Sequence, residues 1–133
     1  MKIEFSEIEI SVYQHLRKAC GLSNKSDEAA SIGLSNSLTA VLCKDSEKPI
    51  GMGRVIGDGG CFCQVVDICI LPEYQGRGLG KLIMEKLIEY IQTLPNTCYI
   101  SLIADGEAHR LYAKYGFKNV QPDAKGMYLK INK

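Results

Sequence analysis

Residues 67–81 read Asp67-Ile68-Cys69-Ile70-Leu71-Pro72-Glu73-Tyr74-Gln75-Gly76-Arg77-Gly78-Leu79-Gly80-Lys81. A strongly apolar strand, Cys61 to Leu71, runs into a proline break. Glycine then stands at 76, 78 and 80. From Gly78 to about Gln92 the apolar residues Leu79, Ile83, Leu87 and Ile91 recur every four positions, and Leu82 and Tyr90 widen the stripe, so the spacing predicts an amphipathic helix. The first turn of a helix presents unpaired N–H groups at a positive dipole end. Glycines there let a phosphate approach the backbone closely, and Arg77 and Lys81 add positive charge. Two familiar phosphate motifs are excluded by spacing. The dinucleotide fingerprint needs a glycine where Lys81 stands, and a P-loop needs one more residue before Gly80-Lys81 and a Ser or Thr at Leu82.

Working outward, Lys2–Phe5 alternates as a short strand. Ser11 is placed to cap a helix reaching about Cys20, with Val12, Leu16 and Ala19 on one face and Gly21 ending it. Asp27 is placed to cap a second helix over Glu28–Leu34. Leu38–Cys43 and Pro49–Ile56 read as strands, and Asp58-Gly59-Gly60 as a hairpin turn into the long strand. After Pro95-Asn96 come a strand over Cys98–Ala104, a helix over Gly106–Tyr115 closed by Gly116, a strand opening at Phe117, a loop over Gln121–Gly126 and a last strand over Met127–Ile131. Antiparallel strands followed by a β-α-β unit predict an α/β (α+β) chain. The expected sheet is mixed but mostly antiparallel, with six to seven strands and about four helices.

The chain has 133 residues, too few for two independent cores, so residues 1–133 are expected to form one domain. Sixteen Lys+Arg balance fifteen Asp+Glu, which removes the electrostatic reason to expect nucleic-acid or anionic-membrane binding. No apolar run approaches the ~20 residues of a membrane helix. The N-terminal MKIEFSEIEI alternates charge and apolar residues, unlike a signal peptide, so a cytoplasmic location is expected. Cys20, Cys43, Cys61, Cys63, Cys69 and Cys98 contain no C-x-x-C pair, and His15 and His109 stand in no zinc spacing with them. They are expected to be buried thiols behaving as small hydrophobes, and no metal is expected.

Gln75-x-x-Gly78-x-Gly80, following a strand that ends Ile70-Leu71-Pro72, resembles the acyl-CoA motif of the GNAT (Gcn5-related) N-acetyltransferases. Ala108-x-x-Leu111-Tyr112-x-x-x-Gly116-Phe117 resembles a second block of that family, and together the two cover roughly residues 39–131. The resemblance implies a GNAT fold that binds acetyl-CoA as cosubstrate and moves its acetyl group directly to a primary amine in a ternary complex. A monomer or homodimer is implied. It places Gln75 and Gly76, with the N–H groups of Arg77, Gly78, Leu79, Gly80 and Lys81, around the pyrophosphate. It sets the backbone of Ile68, Cys69 and Ile70 along the pantetheine arm, with the Ile70 amide facing the thioester oxygen. Asp67, Ala104-Asp105, Leu111-Tyr112, Gly116-Phe117 and Lys125-Gly126-Met127 are more closely similar to the plant-type serotonin N-acetyltransferase branch and its bacterial relatives. That similarity implies a small arylalkylamine acceptor. A protein lysine or N-terminal acetyltransferase, or a non-catalytic acyl-CoA sensor, are the alternatives.

Three residues are candidates for proton transfer. Tyr112 is the family's usual general acid toward the CoA thiolate, or else a core tyrosine. Asp67 is a base toward the substrate ammonium, or a structural carboxylate hydrogen-bonded to backbone. Asp105 is a base, or the N-cap of the helix that follows it; many family members carry Asn at this position.

Overall fold

Strand β1 (Lys2–Phe5) pairs antiparallel with β2 (Thr39–Asp45), β2 with β3 (Lys48–Gly57) and β3 with β4 (Phe62–Ile70), while β5 (Tyr99–Ser101) joins β4 in parallel. The sheet order is β1-β2-β3-β4-β5. The computed structural model describes residues 1–133, in two compact units, Met1–Leu102 and Ile103–Lys133.

In the first unit, helices α1 (Ile10–Ala19) and α2 (Asp27–Ser35) precede the meander, and α3 (Leu79–Ile91) connects β4 to β5. Successive strand residues point to opposite faces. At Gly53 a Cβ would meet Ile83 and Leu87 of α3 at 3.0 Å, so α3 lies directly on the backbone of β3. The next residue, Arg54, points to the other face and reaches Tyr13 of α1 and Gly33 of α2. Helices therefore cover both faces of the sheet. Leu16 of α1, Val41, Cys43, Ile50, Met52 and Val55 of the sheet, and Ile83, Met84 and Leu87 of α3 form the core, each fully buried.

The helix ends differ by one or two residues from the sequence reading. Ser11 caps nothing, because α1 begins after Glu9 without a side-chain cap. The α2 cap is Ser26, whose Oγ accepts from the Ala29 amide at 3.1 Å, and Asp27 opens the helix. In α3 the buried stripe runs through Met84 rather than Leu82, which is 43% exposed. Asp58 builds the hairpin as expected, its carboxylate accepting from the amides of Gly60, Cys61 and Phe62. Those bonds hold its carboxyl below the usual carboxylate range.

The second unit holds α4 (His109–Ala113), shorter than the expected helix, followed by Gly116 in the left-handed conformation at φ 90°. The strands expected at Phe117 and over Met127–Ile131 do not form, so the sheet has five strands, not six or seven. A β-pattern becomes a strand only when a neighbour supplies its ladder, and no backbone group of residues 125–133 pairs with another.

Leu87→Ala should lower unfolding free energy by about 2–5 kcal/mol, the range for emptying a packed leucine site. Leu82→Ala should stay within about 0.5 kcal/mol. Urea titration of the two variants tests which stripe faces the core; equal losses would contradict the packing described here.

Candidate functional site

The glycine turn presents a row of unpaired backbone amides. Gly76 and Gly78 are both left-handed, at φ 79° and 76°, and Gly78 is the residue preceding α3. Non-glycine residues occupy that region at a cost, so the chain path itself depends on these two positions. A Cβ at either would meet nothing within 4 Å, which leaves open space beside the turn. The N–H groups of Gly76, Arg77, Gly78, Leu79 and Gly80 have no acceptor within the protein. They belong to or adjoin the first turn of a 13-residue helix, where the dipole favours an anion. Arg77 is exposed; its guanidinium lies over the Tyr74 ring at 5.0 Å and donates to the Glu73 carbonyl at 3.3 Å. Lys81 is exposed in the first helical turn. Gln75 acts inward: its side-chain amide donates to the Ile70 carbonyl at 3.1 Å, tying the turn to the end of β4.

Strand β4 supplies the second part. It pairs with β5 only through Phe62, Cys63 and Gln64, so from Val65 to Ile70 its outer edge meets no strand. The amide of Leu71 points at the Ile50 carbonyl on the β3 side, at 2.8 Å. By alternation the Ile70 amide faces the free edge. Ile68 and Ile70 thus present backbone groups there, and an extended amide-containing chain can pair with them as an added strand, whereas the backbone of Cys69, expected along the same arm, faces β3 by the same alternation. A pantetheine arm is such a chain, and its pyrophosphate would reach the turn immediately beyond. The residues present fit an acyl-CoA.

The path of β4 at this point is set by Asp67. Its backbone is left-handed, at φ 62°, within the register shift that follows the Arg54–Val66 pair. Its side chain is 8% exposed and is held on both oxygens. Arg17 of α1 pairs with Oδ1, while Arg54 Nε and the Tyr13 hydroxyl donate to Oδ2 at 2.8 and 2.9 Å. The Tyr13 hydroxyl also lies 3.4 Å from a terminal nitrogen of each arginine, as acceptor. Arg17 further donates to the Ser23 carbonyl and hydroxyl, and Arg54 to the Gly33 carbonyl and Ser37 hydroxyl. No buried side-chain polar atom in the structure is left unsatisfied. Burial, then the neighbouring Asp67, push the Tyr13 phenol above its ordinary value of 10.0. A group with a raised folded pKa contributes stability below its unfolded pKa and loses it above, so this contribution persists at neutral pH. The sequence reading missed Tyr13, Arg17 and Arg54. The available signal was Arg54, a lone charge in an apolar strand across a hairpin from Asp67.

Beside Asp67, Cys69 is buried with its thiol against that of Cys20. Burial, reinforced by Cys20, pushes the Cys69 thiol far up, which keeps it protonated and unsuited to form an acyl-enzyme. The cysteines are not uniformly buried. Cys43, Cys63 and Cys69 are, Cys20 and Cys98 are intermediate, and Cys61 is exposed.

Within the second unit, Tyr112 lies on α4, half-buried, with the Phe117 ring edge-on at 6.4 Å. Burial and then Asp105 raise its phenol above 10.0, so it carries its proton at neutral pH. Asp105 is exposed and does not cap α4: the residue before the helix is Ala108, with no side-chain cap. His109 is exposed, its ring nitrogen 3.2 Å from the Gly106 carbonyl.

The acetyltransferase (GNAT) domain profile matches residues 13–130. The chain belongs to the GNAT acetyltransferase family. It is 30% identical to the uncharacterized N-acetyltransferase ycf52 of Pyropia yezoensis, over 96% of this chain and 79% of that protein. A crystal structure of a Staphylococcus aureus protein described as a probable acetyltransferase superposes with a TM-score of 0.92 at 46% identity, covering 98% of each chain. A predicted acetyltransferase from Clostridium acetobutylicum, determined with acetyl-CoA, shares the fold at a TM-score of 0.70 and 15% identity, over 98% of this chain and 96% of that one. The next three curated relatives are longer, and the chain spans 33–47% of their length; two of them are chloroplastic proteins. The α/β GNAT fold and the acyltransferase class (EC 2.3.1.-) expected from the sequence stand. No helix is long and apolar enough to cross a membrane.

Asp67→Asn should lose about 3–5 kcal/mol of stability, because it leaves two buried guanidinium groups facing a neutral amide. Chemical denaturation measures this, and an unperturbed midpoint would show that the cluster is not holding β4. Gly78→Val and Gly80→Val should each weaken acetyl-CoA at least tenfold in calorimetry, about 1.4 kcal/mol. Wild-type affinity in both would remove the cradle assignment.

Proposed function

We propose that this GNAT domain, read as one catalytic unit across residues 1–133, transfers the acetyl group of acetyl-CoA directly to a primary amine. The carrying observation is the adjacency of the free β4 edge, which ends at Ile70, and the unpaired amides of the left-handed glycine turn at 76–80. Bound acetyl-CoA supplies an activated thioester carbonyl; the rest is the work of the chain. The amides from Arg77 to Lys81 hold the pyrophosphate, with Gly76 shaping their turn and Gln75 anchoring it to β4. Ile68 pairs its backbone with the pantetheine arm, Cys69 holds the strand to β3, and the outward amide of Ile70 donates to the thioester oxygen. Tyr112, kept protonated, gives its phenolic proton to the departing thiolate.

Of the two candidate acids, Asp105 is the one assigned as base. Its carboxylate is open to water and can take the ammonium proton through a solvent molecule. Asp67, engaged by Arg17, Arg54 and Tyr13, is assigned to hold the strand rather than to accept a proton.

The preferred acceptor is a small arylalkylamine, in line with the resemblance to the serotonin acetyltransferase branch. One cationic end and an apolar body suit a chain with a net charge of +1 better than a polyamine does. A cytoplasmic location accompanies this reading.

Thiol release from acetyl-CoA should be faster with tryptamine-like amines than with spermidine, amino sugars or lysine peptides. Faster release with lysine peptides would make the chain a protein acetyltransferase, and release with no amine would make it an acyl-CoA sensor. Tyr112→Phe should leave acetyl-CoA affinity unchanged and lower kcat by roughly 10²-fold, the scale of one acid–base group. Asp105→Asn should be slow near neutral pH and recover as pH approaches the amine's pKa of roughly 10. A flat profile for that variant would assign deprotonation to solvent alone.

A further inference from the structure

Two cysteine sulfurs meet where β4 and β5 join. The Cys98 thiol donates to Sγ of Cys63 at 3.7 Å, across 35 positions of sequence. Both residues lie within the unit Met1–Leu102. Cys63 is a buried residue of β4, in register with Ile100, and Cys98 immediately precedes β5. The β4–β5 ladder holds only three residue pairs, Phe62–Tyr99 to Gln64–Ser101. The thiol contact therefore stands beside the short ladder from which the free edge of β4 departs.

The two sulfurs differ in access. Cys98 is half-buried and Cys63 is buried. A third thiol, exposed Cys61, belongs to the same junction, since the Cys61 carbonyl accepts from the Tyr99 amide at 2.8 Å. Burial, then the Cys63 thiol, hold the Cys98 thiol above its ordinary value of 9.0. Asp58 and Cys61 act in the same direction, and Tyr90 of α3 feels both sulfurs. Thiol exchange at Cys98 is therefore slow at neutral pH and faster in alkali. Acetyl transfer as derived above uses neither sulfur.

We propose that Cys63 and Cys98 form a reversible dithiol–disulfide site, oxidised by low-molecular-weight disulfides, whose closure fastens β5 to β4. Cys98 reacts first because its sulfur is the accessible one. Its thiol loses a proton to water, and the thiolate attacks one sulfur of the small disulfide. That S–S bond breaks, and one small thiolate leaves and takes up a proton. Cys63, deprotonated in turn, attacks Sγ of Cys98 in the mixed disulfide and expels the second small thiolate. One small disulfide is thereby reduced to two small thiols, and the cysteine pair is oxidised by two electrons with loss of both thiol protons. Bond formation asks only that Cys98 move toward β4, and Cys98 lies outside the ladder, in a turn whose amide bonds the Pro95 carbonyl at 3.2 Å. The loop so closed contains the glycine turn and α3, and a cross-link of that length restricts the unfolded chain.

Reduced protein, freed of reductant, is incubated with glutathione disulfide, quenched in acid and digested with trypsin. Cleavage after Arg54, Arg77, Lys86 and Arg110 leaves Cys61, Cys63 and Cys69 on one peptide and Cys98 alone on another. The expected product joins these two peptides, with fragmentation placing the link at Cys63 and no glutathione on Cys98. Dithiothreitol should restore all six thiols. Cys61→Ser should form the link in wild-type yield, whereas Cys63→Ala should keep glutathione on Cys98. Two readings on the unaltered sequence need no variant. Oxidation should raise the urea midpoint and slow hydrogen exchange at the amides of Tyr99, Ile100 and Ser101. Cys98 left as a thiol or as a glutathione adduct in the unaltered protein would overturn the proposal. So would a link from Cys98 to Cys61 or Cys69, a link between Cys20 and Cys69 formed in its place, or an oxidised form whose urea midpoint does not rise.

Discussion

One buried carboxylate, held by two guanidinium groups, fixes the strand on which the rest of the site depends. Asp67 sits at a left-handed residue where β4 shifts register against β3. A non-glycine side chain in that conformation needs surroundings that over-determine it. Arg17 from α1, Arg54 from β3 and the Tyr13 hydroxyl provide them. Breaking one partner leaves a charge buried without compensation, which is why such clusters respond so steeply to substitution. The cluster also joins α1, β3 and β4, so the helix covering one face of the sheet and the strand leading to the glycine turn are held by the same atoms.

The consequence lies downstream along β4. Past Gln64 the strand has lost β5 as a neighbour, yet it remains straight enough to keep Cys69 and Ile70 in register with Met52 and Gly51. The free edge is therefore rigid on one side and vacant of strand partners on the other. Gln75 ties the end of this edge to the turn, and Gly76 and Gly78 turn the chain into α3 with their amides outward. Pre-organised donors of this kind need no rearrangement when an anion arrives, which is the economy of helix N-termini as phosphate sites.

Much of this was legible in the sequence, and the gaps have physical reasons. The α3 stripe, the hairpin at Asp58 and the glycine spacing follow from local periodicity and turn chemistry, which require only neighbours in sequence. The reading assigned Asp67 to proton transfer or to backbone hydrogen bonding. Its actual partners, Arg17 and Tyr13, lie 50 and 54 positions away on another element, and no local pattern encodes such a distance. Asp105 failed as a helix cap because α4 starts three residues later than the capping rule expects. The cysteines were expected to share one environment, but Cys61 falls in the hairpin and Cys69 in the core, a difference of three-dimensional position rather than of composition.

The sequence by itself determined the fold family, the order of elements up to α4 and the glycine turn into α3, because glycine conformations and helix periods are properties of short segments. The tertiary structure decided which acid is locked by arginines and which stays open to water. It also decided where β4 parts from β5, and whether the β-patterned C-terminus becomes strand at all. A ladder needs a second backbone at the right place. Residues 127–131 carry the alternation of a strand, but only a neighbouring edge can supply the hydrogen bonds that make them one.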